Sequence, residues 1–479
     1  MSPATAGLAH GLLIAAVAWG AFAFGAVYPW AYWPLAVAAA VIAITGLTLP
    51  APAGTSRLER FLPVPVAAFL AAIILQLIPL PMSTAAAISP STAEVLSELD
   101  PLVRSGLVSA HPLSIAPSQT RTGAVVVAAF ALLLFGTTRL FSVLGVRRIA
   151  RAIAIIGVLL GLAGIIQQPV FSGKIYGLWT PETAGLSYGP FVNRNHFAGW
   201  MLMGLPVALG LLFSRVSRGM GSVRGTFRDR ILWLGSADAS STALLAGGAM
   251  LMTIALILTM SRSGMAVAAV AVTATAVVAL RRQTSRAKKF ASVAILAAVA
   301  VIAVSAIGFS TILARFESAD ANDFNARKGA WADAVEIARR FPVAGTGFNT
   351  YGVSTLFYQR HDLEQHYAQA HNDYLQLAAE GGALLTIPAM ACIVALGAAI
   401  RRRFQQETST TTYWIRAGAV TGICAIAIQE LVEFSLQMPG NAFLFVVLCA
   451  IALHRTPARR PVRTVDHISE GMSRAGQTE

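Results

Sequence analysis

Residues 370–400, AHNDYLQLAAEGGALLTIPAMACIVALGAAI, set a histidine, an aspartate and a glutamate directly before an uncharged run, 382–400. At 1.5 Å per helical residue, a run of that length crosses most of about 30 Å of hydrocarbon. Comparable apolar runs lie near 8–27, 33–49, 61–79, 122–141, 149–168, 195–213, 243–260, 264–280, 290–309, 414–432 and 441–454. The fold class is therefore an all-α polytopic membrane protein of about twelve transmembrane helices, in which 33–49 also suits a re-entrant or tilted element. Composition agrees: of 479 residues, 56% are hydrophobic and 12% charged, and the mean hydropathy is +0.65.

Basic residues orient the bundle. With both termini cytoplasmic, the inner segments hold 25 of the 36 Lys and Arg, among them Arg57, Arg60, Arg147, Arg151, Arg215, Arg218, Arg224, Arg228 and Arg230. That asymmetry follows the positive-inside rule. It also accounts for the net charge of +14, which is spread over short loops and faces anionic inner-leaflet lipid; no nucleic-acid partner is expected. Cys392, Cys424 and Cys449 all fall inside expected spans, so no disulfide framework is implied. The first apolar segment lacks a basic leader and reads as a retained helix. Residues 1–454 form one polytopic membrane domain, and 455–479 a polar, Arg-rich tail expected to be cytoplasmic and disordered.

Three outer loops are long enough to carry chemistry: 80–121, 169–194 and 310–372. Within the largest, residues 326–340 read as an amphipathic helix with Trp331, Ala334, Val335 and Ala338 on one face and Arg327 a turn before Trp331. Phe341-Pro342 ends it. Gly345-Thr346-Gly347-Phe348-Asn349 then reads as a tight turn using glycine's access to positive φ. Glu317, Asp320 and Asp323 suit a solvated turn better than a metal site, and His361, His366 and His371 recur every five residues, which scatters them around a helix. No metal or other cofactor is expected.

Four motifs in order, Phe191-Val192-Asn193-Arg194-Asn195-His196-Phe197-Ala198, Ser261-Arg262-Ser263-Gly264, Arg327 to Trp331 with Pro342–Gly347, and His371-Asn372-Asp373-Tyr374-Leu375-Gln376 with Glu380-Gly381, resemble the O-antigen ligase and polymerase-like superfamily. The resemblance covers roughly residues 150–400. It implies a GT-C-like helical fold with a large outer loop carrying short amphipathic helices. The implied enzyme is a glycosyltransferase of the bacterial inner membrane, with its site facing the periplasm. It would take saccharide from a polyprenyl-diphosphate donor to a hydroxyl of a glycan, lipid A core or protein acceptor.

A diphosphate leaving group needs fixed cations, and arginine offers a permanent charge and a bidentate fork. By carry-over, Arg262 and Arg327 bind diphosphate, and His371 activates the acceptor or binds phosphate. Asn193, Arg194, Asn195, Asn372, Tyr374, Glu380 and Trp331 are substrate-binding candidates. Glu380, Glu430 and Glu433 are alternative bases, and the last two could equally pair with outer arginines. The residues alone also permit plainer roles: Arg262 snorkelling to the interface, Arg327 stacked on Trp331, Trp331 as an interfacial anchor, and the asparagines as helix caps. Ligase and polymerase share these motifs. A lipid-linked glycan transporter is the other class; it would predict midplane charges and an internal repeat, and the sequence offers neither.

Overall fold

The computed structural model describes residues 3–50, 61–181, 187–219, 237–317 and 321–456. Arg57, Arg60, Arg224, Arg228, Arg230, Asp320 and the tail from 457 onward lie outside these ranges, as do the side chains of Glu317 and Asp323.

Ten helices are long and apolar enough to cross a membrane: α1 (Pro3–Phe22), α2 (Pro29–Leu47), α7 (Pro117–Leu144), α8 (Arg147–Gln167), α9 (Arg194–Gly219), α10 (Ala237–Leu258), α11 (Arg262–Arg282), α12 (Arg286–Ile307), α16 (Asp373–Gln406) and α17 (Thr410–Gln429). The other two expected spans, 61–79 and 441–454, are the shorter apolar helices α3 (Pro63–Leu75) and α18 (Pro439–Leu453). The segment that admitted a re-entrant reading is the regular helix α2 of 19 residues. Proline opens α2, α3, α7 and α18, where its missing N–H has no intrahelical acceptor to lose. Ser261, Ser285 and Ser409 cap α11, α12 and α17 by accepting a first-turn N–H. At the centre stands α9, whose membrane span is buried throughout, packed on α8, α10, α11 and α17.

The two long polar loops fold over one end of the bundle. Residues 80–121 supply a two-residue antiparallel pair, β1 (Leu80–Pro81) with β2 (Ala110–His111), and the short helices α4 (Met82–Ile88), α5 (Pro90–Leu99) and α6 (Pro101–Arg104). Residues 310–372 supply most of α13 (Phe309–Glu317), α14 (Ala321–Arg340) and α15 (Tyr351–Tyr358). These loops share a small apolar core of Val95, Ile115, Ala334, Ile337, Phe341 and Tyr351. The buried stripe of α14 is Ala330, Ala334, Ile337 and Phe341, which corrects the expected face of Trp331, Ala334, Val335 and Ala338. Its rotation has two polar causes. Asp333 is turned inward to accept from His361 and the Arg360 and His361 N–H groups, and the Trp331 indole lies on the flank, donating to the His371 carbonyl at 3.2 Å.

The opening stretch of the sequence is one 34-residue helix, α16, broken by Gly382 at φ 51°, ψ −152°. The sequence boundary at 382 is thus the kink. Beyond it, the N–H groups of Ala383 and Leu384 donate to the carbonyls of Pro342 and Val343, so donors released by the break are satisfied by the Pro342–Gly347 turn. That turn has the positive φ values expected, 66° at Gly345 and 113° at Gly347. Gln76, at the end of α3, donates to the Ala344 and Glu380 carbonyls and accepts from Phe348 N–H. A Cβ at Gly345 would stand 2.1 Å from the Glu380 carbonyl carbon. Gly345→Ala therefore combines overpacking against backbone with left-handed strain and costs about 3 kcal/mol. Thermal melting of the purified variant checks this; an unchanged midpoint contradicts it.

Candidate functional site

Residues chosen from three separate motifs converge on the segment following α17, Ala427–Phe434. Tyr374 O–H donates to the Ala427 carbonyl at 2.7 Å, Asn372 Nδ2 to Leu431 at 2.9 Å and Arg327 Nη1 to Val432 at 3.1 Å. Asp373 N–H donates to the Glu430 carbonyl. The segment closes on Glu433, which is fully buried. Its Oε1 accepts from Arg327 Nη2 at 2.7 Å and from Asn195 Nδ2 at 2.8 Å. The other oxygen, Oε2, stands 3.9 Å from His371 Nδ1, close enough for an ion pair and too long for a hydrogen bond.

Local chain geometry places each of these groups. Asn372 caps α16 by accepting from the Tyr374 and Leu375 N–H groups, and His371 before it adopts φ 50°, which turns its ring away from the helix. Asn193 accepts from Asn195 N–H at the head of α9, so its side chain works as a cap, while Asn195 reaches across to Glu433. The Phe434 ring separates two imidazoles, His196 at 4.7 Å and His371 at 4.8 Å between ring centroids. His196 Nε2, His371 Nδ1 and Glu433 Oε2 are buried without a hydrogen-bond partner.

Burial disfavours a charge on Glu433. The facing His371 ring, the Arg327 guanidinium and His196 outweigh it and hold the carboxyl below its usual range. Glu430 behaves oppositely: burial, then the adjoining Asp373 carboxylate, push it well above that range, so it carries a proton. An acid raised on folding contributes stability below its unfolded value and loses it as pH rises through the folded one. Glu430→Gln should therefore match the wild type near pH 5 and melt higher toward pH 9. Melting curves across that window check it; the same pH slope in both proteins contradicts it.

Residues 247–390 match a family model described as O-antigen ligase. By that segment, the chain belongs to the O-antigen ligase-like superfamily. No curated protein matches the sequence. The matched segment of this O-antigen ligase-like protein holds Arg262, Arg327, Trp331, His371, Asn372, Tyr374 and Glu380, whereas Asn195, His196 and Glu433 lie on either side of it.

Not every candidate joins the cluster in the same way. Arg262 begins α11 beside the cap Ser261. Gly264 in the next turn packs so near Ala198 that a Cβ would lie 2.7 Å from that residue's own, which brings the Arg262 turn to the head of α9. Arg194 is the first residue of α9. Glu380 is buried and holds the Pro342–Tyr351 region, accepting from the Asn349 and Tyr351 N–H groups and from Gln376. Trp331 supports His371 through its carbonyl. Among the described residues, no three His, Cys, Asp or Glu side chains gather where they could hold a metal ion.

Glu433 and His196 are the residues that sequence reasoning undervalued. His196 sits inside the Asn193–His196 motif, and Glu433 is an acidic residue at the end of an apolar span; a buried ionisable group at a membrane boundary is a functional signal in itself.

Proposed function

We propose that this O-antigen ligase-like protein is a membrane glycosyltransferase. It moves or polymerises saccharide from a polyprenyl-diphosphate donor onto an acceptor hydroxyl at the outer face of the inner membrane. The observation that carries this reading is the buried Glu433, which holds Arg327 and Asn195 and faces His371. With Nδ1 directed at a carboxylate, His371 has Nε2 left for substrate, on a side chain that keeps 25% of its surface exposed. This is the arrangement that lets an imidazole accept a proton and be stabilised as imidazolium.

In the proposed reaction, the acceptor oxygen bonds to the anomeric carbon as its proton passes to His371. The bond from that carbon to the diphosphate oxygen breaks, and polyprenyl diphosphate leaves with the electron pair. Arg327 and Arg262 would meet the charge gained by the diphosphate, the task that often falls to a divalent cation, so the reaction is read as metal-independent. Arg327 is fixed by Glu433 and the Val432 carbonyl, and its side chain is 30% exposed, which leaves guanidinium N–H groups for a phosphate. Asn195, Arg194 and Tyr374 are proposed to line the saccharide path. The basic segments place both termini in the cytoplasm and this cluster in the periplasm.

The test is direct. Purified protein in lipid is incubated with polyprenyl-diphosphate oligosaccharide and candidate acceptors, and released polyprenyl diphosphate and product size are followed. A ladder of products identifies a polymerase and a single conjugate a ligase. No release from any donor overturns the glycosyltransferase reading in favour of transport or assembly.

A further inference from the structure

At the other end of the bundle, about 28 Å along α9 from His196 to Arg215, a cavity of about 360 Å³ opens between α8, α9 and α10. Its walls are apolar, with Ile155 and Leu159 from α8, Leu211 from α9, and Leu244 and Leu245 from α10. Its rim is cationic. Arg147 and Arg151 come from the first turns of α8, Arg215 and Arg218 from the last turns of α9, and Arg218 Nε is steadied by the Ser214 carbonyl at 3.3 Å. The hydroxyls of Ser214, Ser241 and Thr411 lie at the same end, and among the described lining residues there is no carboxylate.

Four arginines around an apolar hole have a specific chemical complement. A soluble anion would satisfy the rim and leave the walls unfilled, and a neutral hydrocarbon would fill the walls and leave the charge unmet. An amphiphile with one phosphate and an acyl chain does both, because guanidinium groups bind phosphate oxygens bidentately and helix ends lie at headgroup depth. The volume falls within the range of small-ligand pockets, about 300–1,000 Å³.

We propose that this cavity binds an anionic phospholipid, its phosphate on the arginine rim and one acyl chain between α8, α9 and α10. The site is separate from the His371 cluster, and the proposal does not depend on the glycosyltransferase reading.

Native mass spectrometry of the full chain, loaded with dioleoylphosphatidylglycerol or dioleoylphosphatidylcholine, tests it. The wild type should retain phosphatidylglycerol selectively. An arginine near anionic lipid contributes roughly a factor of five, so R151Q/R215Q should weaken that retention about 30-fold. Ile155 lines the cavity and is 60% exposed, so Ile155→Trp fills the hole without disturbing the packed core; it should also lose the lipid. Equal retention of the two lipids, or wild-type retention by R151Q/R215Q, overturns the proposal. Retention by Ile155→Trp would put the lipid on the surface and not in the cavity. Displacement by millimolar glycerol 3-phosphate would make the ligand a free phosphate. Either result overturns the assignment.

Discussion

His371→Asn keeps the wild-type fold and loses about 10²–10⁴-fold in glycan transfer. Asparagine is the informative replacement because His371 sits at φ 50°, a left-handed conformation that asparagine tolerates and alanine resists by about 1 kcal/mol. It also lacks a basic nitrogen. The backbone carbonyl of residue 371 remains available to Trp331 Nε1, so the loop is undisturbed and only proton acceptance is removed. His371→Ala should be similarly slow and slightly less stable. A His371→Asn protein that releases polyprenyl diphosphate at the wild-type rate ends the general-base assignment, whatever its product.

Arg327→Ala should lower transfer about 10²–10³-fold, the usual consequence of losing one preorganised charge at a leaving group. It should also destabilise the outer cap by about 3 kcal/mol, since Glu433 is fully buried and would keep its charge with only Asn195 as a donor. These two effects can be separated. R327A/E433Q removes the stranded carboxylate, so its melting temperature should recover while its activity stays low. Arg327→Lys preserves the charge but cannot reach Glu433 Oε1 and the Val432 carbonyl together as the fork does; its activity should fall as well. Wild-type turnover in the folded Arg327→Ala protein removes this residue from diphosphate binding. Non-recovery of stability in R327A/E433Q removes the stranded-charge explanation.

Much of the bundle was legible because hydropathy is a local property. The uncharged runs at 122–141 and 149–168 lie within α7 and α8, and the positive φ values at Gly345 and Gly347 follow from residue type. The site was legible only in its motif residues. Arg327 and Glu433 are 106 residues apart, and no periodicity links them; their meeting depends on α14 lying over the end of α17. The same holds for Gln76, whose amide ties α3 to a turn more than 260 residues later. The face of α14 was misjudged because hydrophobicity cannot announce that a buried Asp333 has a histidine to receive. Glu380 illustrates the limit of motif reading. Its place in the motif signals importance equally well for a base and for a carboxylate that organises backbone N–H groups.

The brevity of α3 has a consequence for the lipid around it. Thirteen residues give about 20 Å of helix, roughly 10 Å less than an average hydrocarbon layer, and Val64, Ile74 and Leu75 are turned outward. This is hydrophobic mismatch, and membranes accommodate it by thinning. Because Gln76 anchors this short helix to the Ala344 and Glu380 carbonyls, the thinning is held beside the cap. A lipid-borne substrate arriving there meets a bilayer already compressed, and part of the work of lifting its headgroup from the membrane is done by the shape of the protein.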